Sequence, residues 1–106
     1  MKLLVTGGLG FIGSNFILKI LNEYKDFSII NVDAELFGSN KKNLEHVELL
    51  PNYQYVKGNI TNRNLMLDLI SQCDAVVNFA LNYDLLYSLL HTGNLVMIQH
   101  VLNFFY

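Results

Sequence analysis

The sequence has one cysteine, Cys73, in 106 residues. Without a second thiol there is no intrachain disulfide and no zinc site built from thiolates. Its neighbours Ile70, Ala75 and Val76 mark it as a small buried hydrophobe, the commoner fate of a free cysteine. Nothing calls for an oxidising compartment. Charge is also scarce. Charged residues make up 15% of the chain, the net charge is −2, and Lys41-Lys42 is the only adjacent basic pair. That leaves no basic patch for nucleic acid or an anionic membrane surface. No apolar run approaches the ~18 residues that a bilayer span requires. Met1 to Val5 looks like the start of a signal peptide, but Thr6-Gly7-Gly8 breaks the apolar run at once. The expected location is the cytoplasm, with neither a nucleic-acid nor a membrane partner.

What is abundant is apolar surface. The hydrophobic fraction is 52%, enough for a packed core in one small domain. Lys2 to Val5 is a short apolar run ending in glycine, the mark of a buried strand. From Phe11 to Leu21 the pattern turns helical, with Phe11, Ile12, Phe16, Ile17, Ile20 and Leu21 at helical spacing and Asn15, Lys19 and Asn22 between them. Ser28 to Val32 is a second strand, and Tyr53 to Lys57, ending at Gly58, is a third. Ala34 to Pro51 reads as a loop with a short helix near Leu44 to Leu49. Thr61 is the expected N-cap of a helix over 64–71, and Ala75 to Phe79 is a fourth strand.

Strands that are apolar throughout and joined by helices call for a parallel sheet covered on both faces. The fold class is therefore α/β, a Rossmann-type parallel sheet of about four strands, truncated after its first half. Residues 1–80 form this unit. Residues 81–106 form a divergent apolar tail whose sole formal charge is Asp84. Helices are expected along the Leu85, Leu86, Leu89, Leu90 stripe and again over 95–106, and the tail is a candidate surface for homo-oligomer formation.

The residues that carry chemistry are Gly7, Gly10 and Gly13, a G-x-x-G-x-x-G pattern between a predicted strand and a predicted helix. Such a turn needs one glycine at positive φ, one that admits a pyrophosphate to the backbone, and one that lets helix and strand approach. The following helix then points free N–H groups and its positive dipole end at the phosphates. Asp33 stands at the end of the second strand, 20 residues beyond Gly13. There it can accept hydrogen bonds from an adenosine ribose and repel a 2′-phosphate, which favours NAD over NADP.

Other candidates fall away. Tyr53 and Lys57 match a Tyr-x-x-x-Lys pattern, but a catalytic pair needs helical i,i+4 spacing of ~6 Å. In a strand the same residues stand ~13 Å apart. His46, His91 and His100 have no carboxylate at ligand spacing, Ser88 has no base beside it, and Asp84 is alone. No catalytic residue and no metal site is expected.

Residues 1–80 resemble the N-terminal part of the extended short-chain dehydrogenase/reductase family, the NAD-dependent epimerases and dehydratases of nucleotide sugars. The matching stretches run from Lys2 to Phe16, Ile29 to Asp33, Asn52 to Ile60 and Asp74 to Ala80. Within the family they look most like the dTDP-glucose 4,6-dehydratases. The resemblance implies that Gly7, Gly10, Phe11, Ile12 and Gly13 line the pyrophosphate and that Asp33 binds the ribose. It puts Asn59 at the adenine, where the family has aspartate, with Ile60 following, and Phe79 and Ala80 on the nicotinamide side. Beyond Ala80 the match fails at Leu81-Asn82-Tyr83-Asp84. The family's catalytic Tyr-x-x-x-Lys and its nucleotide-sugar domain would lie past Tyr106, so a sugar partner is expected only for a full-length relative. Three readings stay open: an NAD-binding portion of a dehydratase-like enzyme, inactive alone; a non-enzymatic NAD-binding or dimerisation module; and a fragment of a sugar-nucleotide 4-epimerase.

Overall fold

The computed structural model describes residues 1–36, 38–80 and the backbone of 96–98. Strand β1 (Lys2–Thr6) leads through the glycine turn to helix α1 (Phe11–Glu23), followed by β2 (Ser28–Asp33). A 3-10 helix (Lys41–Val47) precedes β3 (Tyr53–Lys57), then come α2 (Arg63–Ser71), β4 (Ala75–Asn78) and β5 (Val96–Ile98). The strands form a parallel sheet in the order β3-β2-β1-β4-β5.

β1 lies at the centre because it must bury both faces. Leu3 and Val5 point to one side, where they pack with Ile17 and Leu21 of α1, with Ile29, Val77 and Leu44. Leu4 points to the other, together with Ile30, Val32, Val76 and the α2 residues Met66, Leu69 and Ile70. Strands that are apolar at every position are what a two-sided parallel sheet requires.

Three local expectations change. α2 starts at Arg63 and is capped by Asn62, whose Oδ1 accepts from the Leu65 N–H at 3.2 Å. Thr61, the expected cap, instead donates to Asn59; asparagine is the stronger N-cap of the two. The helix in the loop lies earlier than expected, because the Asn40 side chain accepts from the Lys42 N–H and starts it there. Third, Val96–Ile98 is a strand where a helix was expected over 95–106, and it gives the sheet a fifth member. Three apolar residues carry no period that separates helix from strand; the open edge of β4 pairs with them. The expected helix on the Leu85–Leu90 stripe, and the tail surface for homo-oligomers, lie outside the described residues.

Cys73 is buried against α2. Burial pushes its thiol up to about 11 from an ordinary value near 9. The unfolded thiol ionises first, so stability is full below pH 9 and declines as pH rises towards 11. Urea unfolding of wild type and Cys73→Ala at pH 8 and pH 10 should show the wild type losing more over that interval. Tyr53 and Tyr55, also raised chiefly by burial, add to the alkaline loss in both proteins. Equal losses would contradict a buried thiol.

Candidate functional site

The glycine turn divides its three demands among three of its four glycines. Gly7 has φ +73, and a Cβ on it would stand 2.8 Å from the Ala80 nitrogen at the end of β4. Its N–H donates to the Val32 carbonyl, tying the turn to β2. Gly13 sits in the first turn of α1, where a Cβ would lie 2.5 Å from the Gly7 carbonyl oxygen and 2.9 Å from the Gly8 Cα. Gly10 differs. It caps α1 with extended backbone (φ −72, ψ 170), and a Cβ there would meet only the Gly7 carbonyl at an ordinary 3.5 Å. The fold does not need glycine at position 10. A ligand pressed against the backbone there would.

The turn is held in place by side chains of β2. Ile29, Asn31 and Asp33 alternate onto one face of the strand. The Gly8 N–H donates to the buried Asn31 Oδ1 at 3.1 Å, and the Leu9 N–H donates to Asp33 Oδ2 at 3.0 Å. Asn31 uses its amide nitrogen as well, donating to the Tyr53 hydroxyl. From the other side, the Leu9 carbonyl accepts from the Asn40 N–H and from Asn43 Nδ2. Asp33 Oδ1 also accepts from the Glu35 N–H at 2.7 Å and from Ser39 Oγ at 2.8 Å. Glu35 pays for that bond with a left-handed backbone, φ 58, and its carboxylate accepts from the Tyr55 hydroxyl. Sequence reading missed Asn31, Asn40, Asn43 and Ser39. One signal was available: an amide inside an otherwise apolar strand, two residues before Asp33 and so on its face.

The other expected residues divide. Phe79 and Ala80 follow β4 and reach the turn, since the Ala80 backbone bounds the space at Gly7. Phe79 is buried against Phe16 of α1, with ring centroids 5.4 Å apart. Below them Asn78 accepts from the Thr6 hydroxyl and from the Ala80 N–H, fixing the ends of β1 and β4. Phe11 is exposed and Ile12 half-buried at the head of α1. Asn59 is exposed, and its Oδ1 accepts from both the N–H and the hydroxyl of Thr61. Those bonds occupy the amide oxygen, the only acceptor this side chain could offer to an adenine. Ile60 is buried in the core beneath α2.

Electrostatically the head of α1 suits an anion. Its first turn carries no acidic side chain and no side-chain cap, and the leading N–H groups of any helix lack partners within it. A glycine backbone half-buried at Gly7 and Gly10, a helix N-terminus and a carboxylate one strand away form the donor and acceptor set of a dinucleotide, and the residues present fit that group. Tyr53 and Lys57 lie in β3, and the Tyr53 hydroxyl is a buried acceptor for Asn31 whose ionisation burial opposes. They form no catalytic pair. His46 is exposed in the 3-10 helix, while His91, His100, Ser88 and Asp84 lie outside the described residues. Among the described residues no three His, Cys, Asp or Glu side chains group as metal ligands, and no helix is long and apolar enough to cross a membrane.

Gly10→Ala separates the two kinds of glycine. We expect its unfolding free energy to stay within about 0.5 kcal/mol of wild type, as for a substitution that meets no clash. Dinucleotide affinity should nonetheless fall at least about tenfold, because the methyl group occupies the ligand's approach. Denaturant midpoints and a binding titration on the same preparation check both parts.

A parallel sheet with a glycine turn between β1 and α1 and an acid at the end of β2 defines a Rossmann-type dinucleotide-binding domain. Residues 4–93 match the model of the family described as GDP-mannose 4,6 dehydratase, and the chain belongs to that family. It is 42% identical over 80 residues to the low-salt glycan biosynthesis protein Agl12 of Haloferax volcanii, covering 76% of this chain and 26% of that protein. It is 40% identical over 80 residues to dTDP-glucose 4,6-dehydratase of Mycobacterium tuberculosis, covering 76% and 24%. Among solved structures, dTDP-glucose 4,6-dehydratase of Bacillus anthracis in complex with NAD superposes with a TM-score of 0.83 at 37% identity, covering 92% of this chain and 36% of that one. The chain thus spans about a quarter of the length of these curated relatives.

Proposed function

We propose that this chain is the NAD-binding portion of a nucleotide-sugar dehydratase of the dTDP-glucose 4,6-dehydratase type. The observation that carries this reading is Gly10, a glycine the fold does not require, placed at the head of α1 with Asp33 beside the same turn. The pyrophosphate would lie along Gly7, Gly10, Phe11, Ile12 and Gly13, and the adenosine ribose at Asp33. Phe79 and Ala80 would border the nicotinamide. Bound NAD supplies a hydride acceptor and donor. The chain's own residues bind and orient it: Asn31 and Asp33 fix the turn, and Asn78 fixes the end of β4.

Asn59, with its oxygen engaged by Thr61, supports the adenine less than the family's aspartate would. An acid facing the ribose favours NAD over its 2′-phosphorylated form. Calorimetric titration of the chain with both dinucleotides tests the reading. NAD should bind, and NADP should bind at least about tenfold more weakly. Equal affinities would remove Asp33 from the ribose.

The carboxylates nearest the turn, Asp33 and Glu35, are engaged in holding it: Asp33 accepts from the Leu9 and Glu35 N–H groups, and Glu35 accepts from the Tyr55 hydroxyl. With dTDP-glucose and NAD supplied, the 106-residue chain should show no formation of the 4-keto product above the uncatalysed background. Turnover would place catalytic groups within these residues and overturn the assignment of a cofactor-binding portion alone. The identity to dehydratases, 40% over 80 residues for the mycobacterial enzyme, supports the dehydratase reading over a 4-epimerase.

A further inference from the structure

We propose that the Ser39 hydroxyl is a built-in competitor of the adenosine ribose for the Asp33 carboxylate. The inference rests on the NAD reading and deepens it. Asp33 is 5% exposed and already accepts three hydrogen bonds: Leu9 N–H on Oδ2, and Glu35 N–H and Ser39 Oγ on Oδ1. A carboxylate offers about four lone-pair positions. A ribose bearing 2′- and 3′-hydroxyls brings two more donors, and the five do not fit.

Two of the resident donors cannot leave. The Leu9 N–H belongs to a turn pinned by the Gly7 N–H on Val32, by Asn31 on Gly8, and by Asn40 and Asn43 on the Leu9 carbonyl. The Glu35 N–H lies two residues along from Asp33, in a left-handed residue whose own carboxylate is held by Tyr55. Ser39 is different. Its Oγ swings on one torsion, and its main chain stays anchored by its own N–H on the Leu36 carbonyl. The serine is therefore the group that gives way, and its bond to Asp33 is lost whenever both ribose hydroxyls bind.

A serine that merely braced the loop would lower affinity when removed; a competitor raises it. The test is calorimetric titration of the full chain and its variants with NAD and with an analogue lacking the adenosine 2′-hydroxyl. Ser39→Ala should bind NAD about three- to tenfold more tightly, the worth of one hydrogen bond no longer displaced. Ser39→Gly should do the same, and Ser39→Thr should stay within about twofold of wild type. With the 2′-deoxy analogue four donors suffice, so the gain from Ser39→Ala should shrink below about twofold.

Thermal scans without dinucleotide should place Ser39→Ala about 2–4 °C below wild type, because the buried carboxylate loses a donor. The proposal is overturned if both Ser39→Ala and Ser39→Gly bind NAD no more tightly than wild type. It is equally overturned if the gain persists in full with the deoxy analogue. A wild-type chain that binds no NAD sinks the cofactor reading and this inference together. A wild type that binds while the variants show no gain sinks this inference alone.

Discussion

Gly13→Ala should destabilise the chain by about 2–4 kcal/mol, the range of overpacking at a site that cannot relax. For a domain of this size the melting midpoint would fall by roughly 10–20 °C. The added methyl group would lie 2.5 Å from the Gly7 carbonyl oxygen and 2.9 Å from the Gly8 Cα. Both obstacles are backbone, so no rotamer change relieves them. Gly7 is itself held by its N–H on Val32 and bounded by Ala80, and the turn cannot retreat without breaking the β1–β2 connection. The remaining route is for α1 to shift outward, which opens the packing of Ile17 and Leu21 against Leu3 and Val5. Urea denaturation followed by far-UV circular dichroism measures the loss. A midpoint equal to that of wild type would mean that α1 and the turn do not approach as closely as described.

Asp33→Ala should damage stability and binding together. It leaves the N–H groups of Leu9 and Glu35 without their acceptor. Orphaning the buried Leu9 N–H costs about 1–3 kcal/mol and the half-buried Glu35 N–H less, and water entering the space left by the side chain recovers part of it. We expect a net loss of about 2–4 kcal/mol in unfolding free energy. The left-handed Glu35 loses one of its two anchors, and strain of about 1–2 kcal/mol at a non-glycine residue then favours relaxation of that loop. NAD affinity should fall at least about a hundredfold, since both the ribose acceptor and the shape of the glycine turn go. Asp33→Asn is the informative companion. It keeps the size and one acceptor oxygen, so it should fold better than the alanine variant while still turning an amide donor towards a donor. If Asp33→Ala melts with the wild type and binds NAD as tightly, the carboxylate has neither role.

Much of this was legible in the chain itself. Leu3-Leu4-Val5, Ile29-Ile30 and Ala75 to Val77 are apolar on both faces, and that alone demands a covered parallel sheet. The glycine spacing was readable because Gly7 and Gly13 answer local demands of a strand–turn–helix, and Asp33 because it ends the next strand. The parts that did not show depend on register. Asn31 reads as one polar residue in an apolar strand until β1 and β2 align Val5 with Asn31, which puts its amide under Gly8. Ser39 and Asn43 look like ordinary loop residues until the chain folds back on Asp33 and Leu9. Asn59 is placed at the adenine by resemblance, but the local Asx turn to Thr61 claims its side-chain oxygen first. Val96 to Ile98 could not be assigned from three residues; their partner strand decided the matter.

The central claim is that the turn from Gly7 to Gly13, with Asp33, is a working dinucleotide cradle in this chain. The most direct test is the melting midpoint of the 106-residue protein as NAD is raised to millimolar concentration. A ligand that binds only the folded state stabilises it by about 2.7 kcal/mol at a hundred times its dissociation constant, so the midpoint should climb steadily with NAD. A folded chain whose midpoint stays flat across that range would contradict the claim and leave the glycines and Asp33 as structure alone.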